Sequence, residues 1–93
     1  MKAIWNDQII AESKETILME NNHYFPIDSI RQEFFVESDT QTNCWWKGDA
    51  SYKSIKVGEN VNKDAAWFYP DPKKEARQIK GYIAFWKGVK VEK

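Results

Sequence analysis

Polar and hydrophobic positions alternate over short stretches of this chain, and turn residues separate the stretches. In Glu33–Glu37, Phe34 and Val36 point to one face while the two glutamates point to the other, as in a half-buried strand. Asn6-Asp7 lies between two such stretches, Ala3–Trp5 and Gln8–Glu12, and predicts a two-residue hairpin. Short strands with turn signals at close intervals are typical of an all-β domain.

Two segments, Ala65–Tyr69 and Tyr82–Trp86, are apolar on both faces, which predicts buried central strands. Ser38–Thr42 is polar throughout and is predicted to be a loop, and residues 27–32 are predicted to form a single helical or 3-10 turn. The remaining predicted strands are Thr16–Glu20 and His23–Phe25 around a turn at Asn21-Asn22, Asn43–Lys47 and Ala50–Val57 around a break at Gly48-Asp49, and Val89–Val91.

One helix is predicted, at Pro72–Lys80. Asp71 is a suitable N-cap, and the proline that follows it is well placed at the first helical position. Gly81 lies just past the end, where glycine often terminates a helix. Ala76 and Ile79 form a narrow apolar stripe that would let this helix cover a sheet face.

Length and composition predict a single domain comprising residues 1–93. Aromatic residues make up 15% of the chain and would supply much of its small core. The formal net charge is zero, yet residues 1–46 contain three basic and eight acidic side chains, whereas residues 71–93 contain seven and three. The basic C-terminal stretch could meet an anion, although such an imbalance is more often a solvated face.

The cysteine and histidine counts exclude several kinds of site. Cys44 is the only cysteine, so no intrachain disulfide can form, and with His23 as the only histidine we predict no metal site and no cofactor. No apolar run approaches the roughly 20 residues that span a bilayer, and the N-terminal segment lacks a signal-peptide apolar region. We therefore expect a cytoplasmic protein without a membrane partner.

Chemistry-bearing residues are densest in residues 44–52 and 63–72. Three tryptophans and two tyrosines occur there among lysine, serine and aspartate, a mixture that suits a pocket for a flat or charged ligand. The alternative is that these aromatic side chains simply form the core of a small domain. The sequence does not decide between core and pocket.

The leading functional hypothesis is a module that binds a small anionic metabolite or a peptide. Lys47 would pair with the anionic group, and Trp46 and Trp67 would stack on the flat part of the ligand. The residues proposed for this pocket are His23, Tyr24, Cys44, Trp46, Lys47, Ser51, Asp64, Trp67 and Tyr69.

Two alternatives stay open. One is a small enzyme that uses His23, Cys44 or Asp64 in acid–base or nucleophilic chemistry, because an imidazole near a thiol can activate it. The other is a weak single-strand nucleic-acid binder with a basic and aromatic groove, which a net charge of zero disfavours. No residue is assigned a catalytic role, and no oligomeric state is predicted.

These segments resemble the small bacterial family named domain of unknown function 427. The resemblance extends over almost the whole chain and is carried by Met1–Trp5, His23-Tyr24-Phe25-Pro26, Cys44, Trp46-Lys47-Gly48, Ala50-Ser51-Tyr52, Asn62–Trp67, Tyr69-Pro70-Asp71-Pro72, Ile79–Tyr82 and Ala84-Phe85-Trp86. It implies a mainly β fold, a compact single domain of bent antiparallel sheets, barrel- or tent-like, with the short helix near residues 72–80.

The resemblance implies no settled reaction. A likeness of the family to nucleotidyltransferases is not supported by the residues, because this chain has no Gly-Ser pair and Tyr69 stands where a carboxylate two residues before Asp71 would be suggestive. Trp45 departs from the family pattern, in which a smaller residue or proline is expected. If this position rims a pocket, the pocket is narrowed.

Overall fold

Strands occupy 58% of the residues in the computed structural model, which describes residues 1–93, and helical segments occupy 13%. The mainly β prediction is therefore confirmed. The helical segments are three 3-10 turns, Ile27–Ser29, Gln32–Phe34 and Lys74–Ile79. The strands are β1 (Lys2–Trp5), β2 (Gln8–Glu12), β3 (Ile17–Met19), β4 (Asn22–Pro26), β5 (Phe35–Cys44), β6 (Gly48–Val57), β7 (Asn60–Phe68), β8 (Tyr82–Phe85) and β9 (Lys90–Glu92).

Two tight hairpins form where turn residues adopt the left-handed region. Asn6 and Asp7 join β1 to β2 with φ of 52° and 62°, a conformation that asparagine and aspartate tolerate better than most residues. Glu20 and Asn21 join β3 to β4 with φ of 52° and 64°. The second turn lies one residue earlier than predicted, and this places a glutamate at its first central position.

The strands form two antiparallel sheets. The small sheet has the order β2-β1-β9, and the large sheet has the order β3-β4-β8-β7-β6-β5. The two apolar segments predicted to be central, β7 and β8, do lie in the middle of the large sheet. An isolated bridge between Ala11 and Ile30 joins the two layers, and the Arg31 N–H donates to the Ile10 carbonyl at 2.8 Å. The sheets do not close into a barrel.

Each face of the large sheet covers its own apolar cluster, because successive side chains of a strand point to opposite faces. The first cluster lies between the two sheets and contains Ala3, Ile10, Ala11, Phe25, Ile30, Ile55, Ala65, Ala66, Ile83 and Phe85. The second cluster lies on the other face and contains Tyr24, Ala50, Tyr69, Ala76, Ile79 and Ala84. Partly buried Trp46, Tyr52 and Trp67 pack against the second cluster.

The predicted loop at Ser38–Thr42 is wrong, because β5 continues through it to Cys44. The pairing of β5 with β6 shifts between Glu37 and Gln41, and this irregularity accommodates the polar residues without ending the strand. The predicted strand Asn43–Lys47 is also wrong at its end. Residues 45–47 form the turn, and β6 begins at Gly48.

The helix predicted at Pro72–Lys80 is a 3-10 segment, Lys74–Ile79, and not an α-helix. Lys73 and not Asp71 precedes its first residue, and Ala76 interrupts the helical geometry with φ of −120° and ψ of 19°. Its two buried residues are the predicted Ala76 and Ile79. The short helix near residues 72–80 and its apolar stripe were therefore predicted correctly, and the helix is of the 3-10 type.

No helix of the structure has the length and apolar character required to cross a membrane.

Candidate functional site

The turn at residues 45–47 packs against the segment that leads into the last 3-10 turn. The Lys73 N–H donates to the Lys47 carbonyl at 2.8 Å, and the Lys73 ammonium donates to the Trp45 carbonyl at 2.6 Å. Gly48 has φ of +114°, and a Cβ there would lie 3.4 Å from the Asp71 carbonyl oxygen and from the Lys73 nitrogen. Glycine therefore allows the two segments to approach closely, and this contact fixes the position of Lys47.

Lys47 is 8% exposed, and its ammonium lies among aromatic rings. The Nζ atom is 5.3 Å from the centre of the Trp46 ring and 5.5 Å from that of Tyr69, within the range of cation–π attraction. It also donates to the Glu20 carboxylate in an ion pair, in which the Glu20 side chain is half exposed. Burial acts to lower the pKa of Lys47, but the Glu20 hydrogen bond and the nearby tyrosines outweigh it, so the pKa is raised and the ammonium stays charged.

Aromatic side chains of β6 and β7 line the same pocket as Lys47. Tyr52 and Trp67 are direct cross-strand partners, and Trp67 meets Trp86 edge to face with ring centres 5.8 Å apart. The Trp67 indole N–H donates to the buried Tyr24 hydroxyl at 3.2 Å, which fixes the orientation of its ring. Burial raises the pKa of Tyr69, and Lys47 opposes that rise. The tyrosine hydroxyl therefore stays neutral at physiological pH.

Lys47 and four of these aromatic side chains line an open pocket of about 190 Å³, which we call the Lys47 pocket. Since one water molecule takes about 30 Å³ of the liquid, the pocket has room for roughly six waters, or for a single aromatic ring with one substituent. Its lining consists of Lys47, Tyr52, Trp67, Tyr69 and Trp86. One cation beside four aromatic rings can hold a flat ligand that carries a negative group.

Six of the nine predicted site residues belong to the Lys47 pocket or to its immediate surroundings. Three of them line it: Lys47, Trp67 and Tyr69. Three others support it, since Tyr24 accepts the hydrogen bond from Trp67, Trp46 contacts the far side of the Lys47 ammonium, and Cys44 packs against the second cluster.

The other three predicted residues lie elsewhere. His23 lies on the opposite face of β4 from Tyr24. Its Nδ1 atom is hydrogen-bonded to the Thr16 hydroxyl at 3.3 Å. Ser51 likewise points to the opposite face of β6 from Tyr52. Asp64 accepts hydrogen bonds from two hydroxyl groups of β5.

No hydrogen bond joins any two of His23, Cys44 and Asp64, the residues considered for an enzyme. The structure contains no group of three or more His, Cys, Asp or Glu side chains placed to hold a metal ion.

Three residues of the site were not predicted. Tyr52 lies within the dense aromatic segment, and its alternation with Ala50 could have placed it on the same face as Trp67. Trp86 was assigned to a buried strand, but it lies just past the end of β8 with 47% of its surface exposed. Glu20 carried no local signal, because it reaches Lys47 from 27 residues away in the chain.

Trp45, the residue that departs from the family pattern, does not narrow the Lys47 pocket. It is 81% exposed and lines a separate surface depression with Trp46, Lys73 and Glu75. A third depression follows the outer surface of β5, β6 and β7, where Val36, Lys56, Val61 and Lys63 are among the lining residues.

Comparison with known proteins identifies a family and leaves the chemistry open. No match to the chain is found among curated proteins. One family profile, described as a domain of unknown function (DUF427), matches residues 1–93, the whole chain. This chain therefore belongs to the DUF427 family.

Proposed function

We propose that the protein is a binding module for a small, flat, anionic ligand, which occupies the Lys47 pocket. The observation that supports the proposal best is the ammonium of Lys47, which is held nearly buried among aromatic rings while its only carboxylate partner is half exposed. The volume of the pocket favours a single-ring metabolite, or one side chain of a peptide, over a larger ligand.

The energetic cost of burying Lys47 favours a role in ligand binding over a role in stabilising the fold. Removing an ammonium from water is costly, and an ion pair with low exposure often contributes no more stability than apolar residues of similar volume. A methionine could fill the same space between Trp46 and Tyr69 without a desolvation penalty. A cation retained at such a place is better explained by an anion that it binds.

The central test replaces the ammonium while retaining the side-chain length. Lys47→Met is expected to change the free energy of unfolding by about 1 kcal/mol or less, because Glu20 can turn to water when its partner is lost. The variant should lose the thermal shift and the tryptophan quenching that small aromatic anions produce in the wild type. If the wild type shows neither effect with a broad panel of such anions, the proposal is wrong.

A second pair of variants distinguishes binding in the Lys47 pocket from nonspecific binding to exposed aromatic side chains. Trp86 lines the pocket and Trp45 does not, yet both indoles are substantially exposed. Trp86→Ala should weaken ligand binding by roughly tenfold, since stacking on one aromatic side chain is worth about 1–3 kcal/mol. Trp45→Ala should leave the affinity unchanged. Equal losses from both variants would contradict binding in the Lys47 pocket.

A further inference from the structure

Glu20 already pairs with the ammonium that the ligand of the Lys47 pocket would itself require. Its carboxylate is paired with the Lys47 ammonium, although Glu20 belongs to the β3–β4 turn and is not part of the pocket lining. The lysine is nearly buried and fixed among rings, whereas the glutamate side chain is half exposed. Of the two partners, the carboxylate is therefore the one that can leave.

The turn that carries Glu20 follows the shortest strand of the large sheet. β3 has three residues, lies at the sheet edge and pairs with β4 alone. The Glu20 backbone is in the left-handed region, and its carbonyl accepts one hydrogen bond, at 3.3 Å, from the Asn22 side chain. Short edge elements with few buried contacts open at low free-energy cost.

We propose that Glu20 is a built-in competitor, which pairs with the Lys47 ammonium in the free protein and is displaced by a ligand carboxylate. This inference rests on the proposed function and specifies its ligand class. Two carboxylates on one ammonium repel each other, so we expect the ligand to replace Glu20 and not to join it. The β3–β4 turn then acts as a gate that closes when the pocket is empty.

The carboxylate of Glu20 also indicates which class of ligand the Lys47 pocket selects. Lys47 is the one cation in the lining and presents a single positive charge. A phosphate dianion is usually held by several charged donors or by a bidentate arginine, whereas this pocket has Lys47 as its one charged donor. A carboxylate on a flat ring matches the charge that Glu20 supplies and leaves the ring to contact Trp67 and Trp86.

The test uses the full chain and three probes, phenylacetate, phenyl phosphate and the neutral phenylacetamide, with tryptophan fluorescence as the readout. Glu20→Gln should bind phenylacetate about tenfold more tightly than the wild type, as expected if Glu20 leaves the position free about a tenth of the time. Glu37→Gln is the matched control, because it removes the same charge from the ion pair with Lys53, a residue outside the Lys47 pocket. The control should bind as the wild type does.

The outcomes distinguish the two proposals. Binding of phenylacetate with equal affinity by wild type and Glu20→Gln would overturn the competitor while leaving the pocket in place. Tighter binding of phenyl phosphate than of phenylacetate would overturn the carboxylate preference. If neither the wild type nor Glu20→Gln binds any of the probes, the proposed function itself is wrong.

A measurement on the wild type avoids dependence on the folding of any variant. The carboxyl carbon signal of Glu20 in an NMR spectrum should shift when phenylacetate saturates the pocket, because the carboxylate moves from an ammonium to water. An unchanged Glu20 signal at saturation would contradict displacement.

Discussion

At the residue scale, Asp64 connects three strands of the large sheet. Its carboxylate accepts hydrogen bonds from the Ser38 and Thr40 hydroxyls of β5 at 2.5 and 2.7 Å. Its backbone N–H donates to Ser54 of β6 at 3.0 Å, and its carbonyl accepts from the Trp86 indole at 2.6 Å. Asp64 has φ of +56°, so a strained backbone position is stabilised by four hydrogen bonds. Its role in the structure is that of a strand connector and not of a pocket residue.

Asp64 should make part of the stability depend on pH. The Ser38 and Thr40 hydrogen bonds hold the pKa of Asp64 below its ordinary value of 3.8. A carboxyl whose pKa is lower in the folded state stabilises fully above the unfolded-state pKa, and that contribution is lost as the pH falls through the folded-state pKa. Asp64→Asn, which tolerates the same backbone region, should therefore lower the melting temperature at pH 7 and show a smaller further decrease between about pH 5 and pH 2.

Asp49→Asn is the control for the loss of one charge, because Asp49 accepts an exposed hydrogen bond from Asn43. Its acid-induced decrease in melting temperature should match that of the wild type. The assignment to Asp64 fails if Asp64→Asn retains the full acid dependence of the wild type.

The residue scale also shows where reasoning from sequence ends. Lys47, Trp67 and Tyr69 could be predicted because unlike chemical types, cation and aromatic, lie close together in the chain. Glu20 could not, because its contact with Lys47 depends on the position of a distant turn. Asp64 was predicted to be a pocket residue from the same local density, but its left-handed backbone at the start of the apolar segment directs it to β5.

At the element scale, β5 is an edge strand, which explains why its residues Ser38–Thr42 were predicted to be a loop. It pairs only with β6, and most of its residues from Val36 to Asn43 are exposed or half-buried. Such a strand needs no apolar alternation, and polar or charged edges protect against pairing with other chains. The strand predicted from alternation at Glu33–Glu37 is also wrong in its first half, because Gln32–Phe34 is a 3-10 turn and β5 begins at Phe35. Val36, predicted to lie on the same face as Phe34 in a half-buried strand, is 46% exposed.

The 3-10 segment Lys74–Ile79 shows how tertiary contacts override helix signals. Its backbone bonds, from Ala76 to Lys73 and from Lys80 to Arg77, span three residues. A segment of this length is too short to be stable as an independent α-helix, so its geometry follows from its packing. The two buried side chains, Ala76 and Ile79, both belong to the second cluster.

Ile79 should therefore contribute most of the free energy that holds the 3-10 segment against the second cluster. Ile79→Ala is expected to lower the free energy of unfolding by about 2–5 kcal/mol, because the side chain is fully buried and leaves a cavity. Gln78→Ala, one residue earlier and exposed, should change it by no more than about 0.5 kcal/mol. Chemical denaturation of both variants measures the difference, and a loss below about 1 kcal/mol for Ile79→Ala would show that the segment contributes little to the core.

At the scale of the whole molecule, the large sheet connects two clusters that do not share a face. Adjacent residues of the same strand serve different clusters: Tyr24 and Phe25 on β4, and Ala84 and Ile83 on β8. The apolar character of β7 and β8 on both faces was enough to predict that they are central. Which residues assemble on each face depends on long-range pairing, which the chain pattern does not contain.

This arrangement predicts that the two clusters unfold together. Phe25 is fully buried in the first cluster and meets Phe85 edge to face at 5.5 Å, so Phe25→Ala should cost about 3–5 kcal/mol. Because β4, β7 and β8 carry both clusters, disruption of one face should also release Trp67 and Trp46 on the other. In a urea titration, the midpoint from tryptophan fluorescence should fall together with that from far-UV circular dichroism, as two-state unfolding requires.

Leu18→Ala, at a site 61% exposed on β3, should leave both midpoints close to those of the wild type. A Phe25→Ala protein in which the circular dichroism midpoint falls while the fluorescence midpoint stays in place would show instead that the aromatic face, with the Lys47 pocket, is an independently stable unit.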